Sequence, residues 1–334
     1  MIRFIELFAG IGGFRYGLET IRPIQSSNTT RSKECQQFEN ELVQRKHLDY
    51  TCVWANEIDK YACQIYRKNF GKGELYEGDI RTVRPEDIPE AELLIGGFPC
   101  QAFSIAGKRR GFEDTRGTLF YEIARIARAN RYKTLLLENV KGLLNHENGS
   151  TFEVILRVLE ELGYDVEWQV LNSKNFGVPQ NRERVFIVGH LRGESRRQVF
   201  SVGEGFNFSQ ETNKNKQRKK KLASTVRPGL SGLPGNSETY IKVHNMLPRS
   251  GNPKQGGTGH LSKDNGSAYC LDSGRTNAIE FNDMKIRRLT PVECERLQGF
   301  PDGWTEGISD IQRYKCLGNA VTTNVITEIG KKLF

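Results

Sequence analysis

The sequence predicts an α/β protein: an open, parallel-stranded sheet covered by helices, joined to a second, smaller and irregular domain. Short apolar runs the size of buried parallel strands alternate with stretches of helical spacing. These runs end in glycines or in single acids, as strands do where an open sheet collects its ligands. The pattern stops at about Gly193 and returns at Arg287, which divides the chain into 1–193, 194–284 and 285–334.

The first strand is Arg3-Phe4-Ile5-Glu6-Leu7, running into Phe8-Ala9-Gly10-Ile11-Gly12-Gly13-Phe14 and a helix-compatible stretch from Arg15 to about Ile21. Strand, glycine turn and helix let backbone approach a ligand closely, with N–H groups at the helix start. The spacing is not G-x-G-x-x-G, so a dinucleotide pyrophosphate is not indicated, and a tight strand-to-helix connection fits the turn equally. Residues 22–48 are polar and read as an inserted, partly helical surface segment. The second strand, Thr51-Cys52-Val53-Trp54-Ala55, ends at Asn56-Glu57, and an acid at that tip can accept hydrogen bonds from both ribose hydroxyls. Turn and acid together favour a nucleoside-bearing cofactor. Gly78-Asp79-Ile80 offers a second acid suited to an adenine amino group.

The run Leu93-Leu94-Ile95-Gly96-Gly97 leads into Phe98-Pro99-Cys100-Gln101. Proline fixes the local backbone, so the Cys100 thiol would project from a rigid corner past a strand end. A buried structural cysteine is the alternative. Residues 101–111 are glycine-punctuated and basic, a loop able to move and to meet phosphates. Leu119, Phe120, Ile123 and Ile126 then fall at helical spacing as core residues. Thr134-Leu135-Leu136-Leu137 ends at Glu138-Asn139-Val140, and an acid closing so apolar a strand is costly to bury without partners. A helix carrying Ile155, Val158, Leu159 and Leu162 closes at Gly163. Strands at 166–171 and 184–189 bracket Gln180-Asn181-Arg182-Glu183-Arg184. Its two arginines share a side if the stretch is extended, and the residues alone leave an exposed, ion-paired edge equally open.

Residues 203–221 lack apolar periodicity and end in the basic run Lys214-Asn215-Lys216-Gln217-Arg218-Lys219-Lys220-Lys221. Residues 222–283 are rich in glycine, serine and asparagine, with short strand-like pieces such as Tyr240-Ile241-Lys242-Val243. A helix start is signalled at Thr290-Pro291, and Cys316-Leu317-Gly318-Asn319-Ala320-Val321 opens a final helix through Ile329. The 334 residues carry a net charge of +9 and seven cysteines without a C-x-x-C pair. That argues against a disulfide framework and a zinc site, favours a reducing compartment, and suits a polyanionic partner. No run approaches the roughly 18 apolar residues of a membrane span, so a soluble, intracellular protein is expected.

Taken together, these motifs resemble the C5-cytosine DNA methyltransferases, in the family's order, over residues 3–193 and 287–333. The resemblance implies a Rossmann-like, S-adenosylmethionine-dependent methyltransferase fold with a smaller target recognition domain at 194–284. It further implies a DNA (cytosine-5-)-methyltransferase of restriction-modification type, a monomer in the bacterial cytoplasm beside the nucleoid. Its partners would be double-stranded DNA and a companion restriction endonuclease. By that resemblance Cys100 is the nucleophile, Glu138 the cytosine-binding acid, and Arg182 and Arg184 hold base and acid in place. Phe8, Gly10, Ile11, Gly13, Glu57, Ile58, Asp79, Ile80, Pro99, Leu119 and Asn319 would bind S-adenosylmethionine, released as S-adenosylhomocysteine, with no metal. Gln101, Ser104, Lys108, Arg109, Arg110 and Arg116 would meet DNA. One departure is Cys270-Leu271, where the family often carries Thr-Leu. A tRNA cytosine-5 methyltransferase of the same family and a non-catalytic nucleic-acid-binding member are the rival readings.

Overall fold

The computed structural model describes residues 1–21, 49–99, 118–194, 198–200, 242–245, 261–263, 268–271, 277–281 and 285–334. The first half builds β1 (Ile2–Leu7), α1 (Gly13–Glu19), β2 (Tyr50–Glu57), α2 (Lys60–Phe70), β3 (Leu75–Glu77) and β4 (Leu93–Gly97). There follow α3 (Leu119–Asn130), β5 (Thr134–Val140), α4 (Ser150–Glu161), β6 (Tyr164–Asn172) and β7 (Glu183–Leu191). Four short strands come next: β8 (Lys242–Asn245), β9 (Leu261–Lys263), β10 (Asn277–Phe281) and β11 (Lys285–Arg288). The chain closes with α5 (Pro291–Gln298), α6 (Asp310–Asn319) and α7 (Thr323–Gly330).

One seven-stranded sheet has the order β3-β2-β1-β4-β5-β7-β6. Strands β3 to β5 are parallel, and β7 runs antiparallel between β5 and β6. Its central strands are apolar on both faces because helices cover both. Ile5, Leu94 and Leu135 pack toward Ile123, Ile126, Ile155 and Leu159. On the opposite face Phe4, Leu93, Ile95 and Leu136 pack toward Leu18, Val325 and Ile326. Such two-sided burial is why these strands read as continuous apolar runs rather than as alternating ones.

The reversal of β7 positions the site. Because it runs against β5, its first residues stand at the end of the sheet where the parallel strands finish, with Arg184 opposite Val140. An arginine motif that opens a strand therefore reaches the same edge as acids that close theirs. A second, antiparallel sheet has the order β11-β10-β8-β9. Residue Ala268 connects the two parts, since its N–H donates to the Pro179 carbonyl and its carbonyl accepts from Asn181 N–H.

The ending departs from the sequence-based expectation. The predicted helix from Cys316 through Ile329 is instead two helices, with Cys316 to Asn319 as the last turn of α6. Ala320 turns extended, with φ −65° and ψ 150°. Side chains take over the carbonyls that a continuing helix would have used. Gln298 donates to Leu317 and Ala320, and Arg182 donates to Gly318 and Ala320. The expected helix start at Thr290-Pro291 is a capping box, in which Thr290 and Glu293 each accept the other's backbone N–H. Residues 22–48, 101–111 and 214–221, on which several sequence-based expectations fall, lie outside the described residues.

Candidate active site

Strand register sets the tips of β1, β2, β4 and β5 side by side: Leu7 faces Asn56 and Gly96, and Gly97 faces Glu138. A cavity of about 460 Å³ opens at this edge, beside the point between β1 and β4 where the strand order reverses. Clefts of open α/β sheets form at such switch points, and small-molecule sites commonly span about 300–1,000 Å³.

One end of the cavity is the glycine turn. Phe8 leaves β1 at a φ of +57°, a left-handed conformation costing about 1–2 kcal/mol for a residue with a side chain. Gly10 follows at +55° and Gly12 at +80°. A methyl on Gly10 would meet nothing within 4 Å, so its backbone borders open space. Glu57 fixes the turn. One carboxylate oxygen accepts the Gly10 N–H at 2.7 Å, and the other accepts those of Ile58 and Asp59 at 2.8 Å each. A carboxylate has about four acceptor positions, so room for a further donor remains after these three bonds. Phe8, Phe14, Pro99 and Leu119 give apolar wall, and Ile58 stands 66% exposed at the rim.

Asp79 and Ile80 follow β3 and do not line this cavity themselves, although Ile80 shares a core cluster with Phe8 and Leu119 of its wall. Ile80 is buried in the core under β1 and β4. The Asp79 carboxylate accepts from the Arg81 guanidinium at 2.9 Å and from Arg81 N–H at 3.0 Å. Those bonds hold its carboxyl below the usual carboxylate range.

The other end holds charge. Glu138 closes β5 with its side chain only 14% exposed, and Arg184 Nε lies 3.0 Å from its Oε1. Burial pushes the Glu138 carboxyl up, and the Arg184 and Arg182 charges pull against that rise without cancelling it. Gly97 lies close beside it: a methyl there would make ordinary contact, at 3.4 Å, with both Glu138 Oε2 and the Phe14 ring. Arg182 is 2% exposed, which excludes the exposed-edge alternative. Its guanidinium donates to the carbonyls of Leu271, Gly318 and Ala320 at 2.8–3.2 Å and to the Cys270 sulfur at 3.2 Å. It therefore ties β7 both to the end of α6 and to residues 268–271.

Of the residues singled out in the sequence, the cavity wall gathers Phe8, Gly10, Ile11, Gly13, Glu57, Ile58, Pro99, Leu119, Glu138, Arg182, Arg184 and Asn319. Cys100, Gln101, Ser104, Lys108, Arg109, Arg110 and Arg116 lie outside the described residues. Sequence reasoning missed two groups. Asn139 donates to the Phe98 carbonyl at 2.8 Å, bracing the backbone just before Pro99 and Cys100. Lys315 donates to Asp59 at 2.7 Å across 256 residues of chain, joining α6 to the start of α2 at the cavity rim. The Asp59 carboxyl sits below the usual carboxylate range: burial raises it, but hydrogen bonds from Lys315, Ala62 and Tyr61 outweigh burial. Asn139 was visible beside Glu138 in the sequence; nothing in the spacing could pair Lys315 with Asp59. Among the described residues no His, Cys, Asp and Glu group could hold a metal ion.

Comparison with known proteins shows the family. Residues 2–334 match the family model of the C-5 cytosine-specific DNA methylases. The chain is 37% identical over 339 residues to the Type II methyltransferase M1.ScrFI of Lactococcus lactis subsp. cremoris, covering 99% of this chain and 77% of that protein. It is 34% identical over 349 residues to the Type II methyltransferase M.HhaI of Haemophilus parahaemolyticus, covering 98% and 93%. Among solved structures, the Dnmt2 methyltransferase of S. pombe shares the fold at a TM-score of 0.66 and 20% identity, over 99% of this chain and 98% of that one. The chain thus belongs to the C-5 cytosine-specific DNA methylase family and is a methyltransferase enzyme.

Proposed function

We propose that this protein transfers a methyl group from S-adenosylmethionine to C5 of a cytosine flipped out of duplex DNA, at a defined sequence, as the modification half of a restriction-modification pair. The observation that carries this reading is the pairing, in one cavity, of a glycine turn fixed by Glu57 with a buried Glu138 held by Arg184. The cavity suits the cofactor in chemistry as well as volume. Glu57 keeps an acceptor position for a ribose hydroxyl, and the apolar wall of Phe8, Ile58, Pro99 and Leu119 suits a purine ring. When bound there, S-adenosylmethionine supplies an electrophilic methyl on a sulfonium.

Each residue then has a defined task. Cytosine C5 is too weak a nucleophile to accept a methyl unaided. Addition of the Cys100 thiolate to C6 converts C5 into an enamine carbon, and a carboxylic acid at N3 makes that addition easier. Glu138 is suited to be that acid, because burial raises its pKa and so favours the neutral form. Arg184 holds its orientation, and Asn139 braces the corner that leads to Cys100. After transfer, loss of the C5 proton and β-elimination of the thiolate restore the base's aromaticity. Such chemistry needs the base out of the stack. Residues 101–111 would close on the DNA, and 194–284 would read base edges. The chain works as a soluble monomer, and its net charge of +9 favours the polyanion.

The test is methyl transfer by the purified protein, with bisulfite sequencing of the product. Duplex DNA should be protected at one cytosine within a short recurring sequence. Methylation of tRNA with none of any duplex would overturn the proposal.

A further inference from the structure

The glycine turn is held from below by a part of the chain almost as far from it in sequence as possible. Trp304 lies in residues 301–307, between α5 and α6, and its indole N–H donates to the Ile11 carbonyl at 3.1 Å. The ring is 8% exposed, and the bond is buried. Around it the turn rests on aromatic rings. A methyl on Gly12 would lie 2.2 Å from Phe70 Cε2, so turn and ring are in close contact. Trp304 meets the Phe70 ring edge-on at 5.5 Å, stacks on Phe300 at 5.0 Å and meets Tyr16 at 4.8 Å. Phenylalanine could supply that packing but not the donor that the indole N–H adds.

The loop carrying Trp304 is fastened on both sides. From α2, which begins just after Glu57, Gln64 donates to the Gly307 carbonyl, Lys68 to that of Gly303 and Asn69 to that of Trp304, at 2.7–3.1 Å. From α5, the fully buried Glu295 accepts the N–H groups of Gly303 and Thr305 at 2.8 Å each, accepts the Thr305 hydroxyl and pairs with Arg313. Helix α5 is in turn fixed to the end of the second sheet, where Arg287 lies 2.6 Å from Glu293. A continuous set of hydrogen bonds thus runs from that sheet through α5 to the turn.

We propose that Trp304 is a positioning residue for the cofactor: acting through the Ile11 carbonyl, it holds the glycine turn in the shape that receives S-adenosylmethionine. The inference rests on the cofactor reading given above. Trp304→Phe keeps a ring in the cluster and removes the donor. Calorimetry should then show binding to S-adenosylmethionine weakened by about 3- to 10-fold, the span of one neutral hydrogen bond. The KM for S-adenosylmethionine should rise by the same factor, with kcat and the KM for DNA within about two-fold of the parent, a split expected when binding is lost equally in the ground and transition states. Leu159→Ala, in α4 and remote from the turn, separates positioning from loss of fold. It should lower Tm at least as much as Trp304→Phe and leave cofactor affinity within about two-fold. Unchanged cofactor affinity in Trp304→Phe overturns the inference, as does an equal loss in Leu159→Ala. A parent protein that binds no S-adenosylmethionine would overturn the cofactor reading itself, and this inference with it.

Discussion

At the glycine-turn end of the cleft, the walls are fixed by backbone N–H groups and packed rings; at the Glu138 end they are fixed by charge. Glu57 spends its carboxylate on three peptide donors, and Trp304 holds the same turn from the other side. Glu138 has Arg184 at 3.0 Å and a pKa pushed up by burial. The first arrangement suits a site that must keep its shape for a tightly fitted cofactor. The second suits a group that has to hold a proton and use it. Binding and chemistry are therefore expected to separate when either end is altered.

The largest effect should come from Glu138→Gln. Losing an acid positioned at the reacting base typically costs about 10²- to 10⁴-fold in rate. Turnover should fall by that order while affinity for S-adenosylmethionine stays within about two-fold, and a matching loss of affinity would break the comparison. The parent's pH profile sharpens it. In the proposed mechanism Glu138 acts in its neutral form, and its pKa is raised, so kcat should decline as pH rises through that raised value. Cofactor affinity should show no parallel decline.

Glu57→Ala comes next. It removes charge-assisted hydrogen bonds and frees the turn, a loss of about 1.5–3 kcal/mol in binding, or roughly ten- to hundred-fold in Kd. Isothermal calorimetry showing unchanged affinity would take Glu57 out of the pocket. Because three of its acceptor positions serve the protein, the variant should also lose some thermal stability.

A further effect is on stability alone, with none expected on binding or turnover. Glu6, on β1 beneath the turn, is fully buried. Burial pushes its pKa from 4.5 up to about 8, against the pull of the Arg15 charge and backbone N–H and with a small push from Glu19 and Glu57. The folded protein keeps a proton that the unfolded chain has released. This contribution to stability is therefore complete below about 4.5 and is lost as pH rises through about 8. The slope should be on the order of 1 kcal/mol per pH unit at most. A Tm-against-pH curve should flatten in that window for Glu6→Gln, and parallel curves would contradict the assignment.

Much of the fold was legible because buried parallel strands are apolar on both faces and end abruptly. The runs at Leu7, Gly97 and Val140 show this. Glu57 and Glu138 stood out for the same reason, as acids at the ends of such runs. The break at Ala320 was not legible, because the groups that end α6 there, Arg182 and Gln298, come from distant segments. Lys315 with Asp59 and Trp304 with Ile11 are hidden alike, since local periodicity carries no information about which loops will meet. The partner of Asp79 lies nearer in sequence. Arg81, two residues on, already occupies its carboxylate.

The central claim is covalent attack by Cys100 on a cytosine in duplex DNA, and a trapping experiment tests it most directly. A duplex carrying 5-fluorocytosine at the target position cannot release the fluorine as it would the C5 proton, so turnover stops at the adduct. With S-adenosylmethionine present, the parent protein should form a denaturant-stable complex with that duplex, mapped by mass spectrometry to Cys100, and Cys100→Ser should form none. An adduct that forms at full rate in Cys100→Ser, or maps to another residue, would contradict the account.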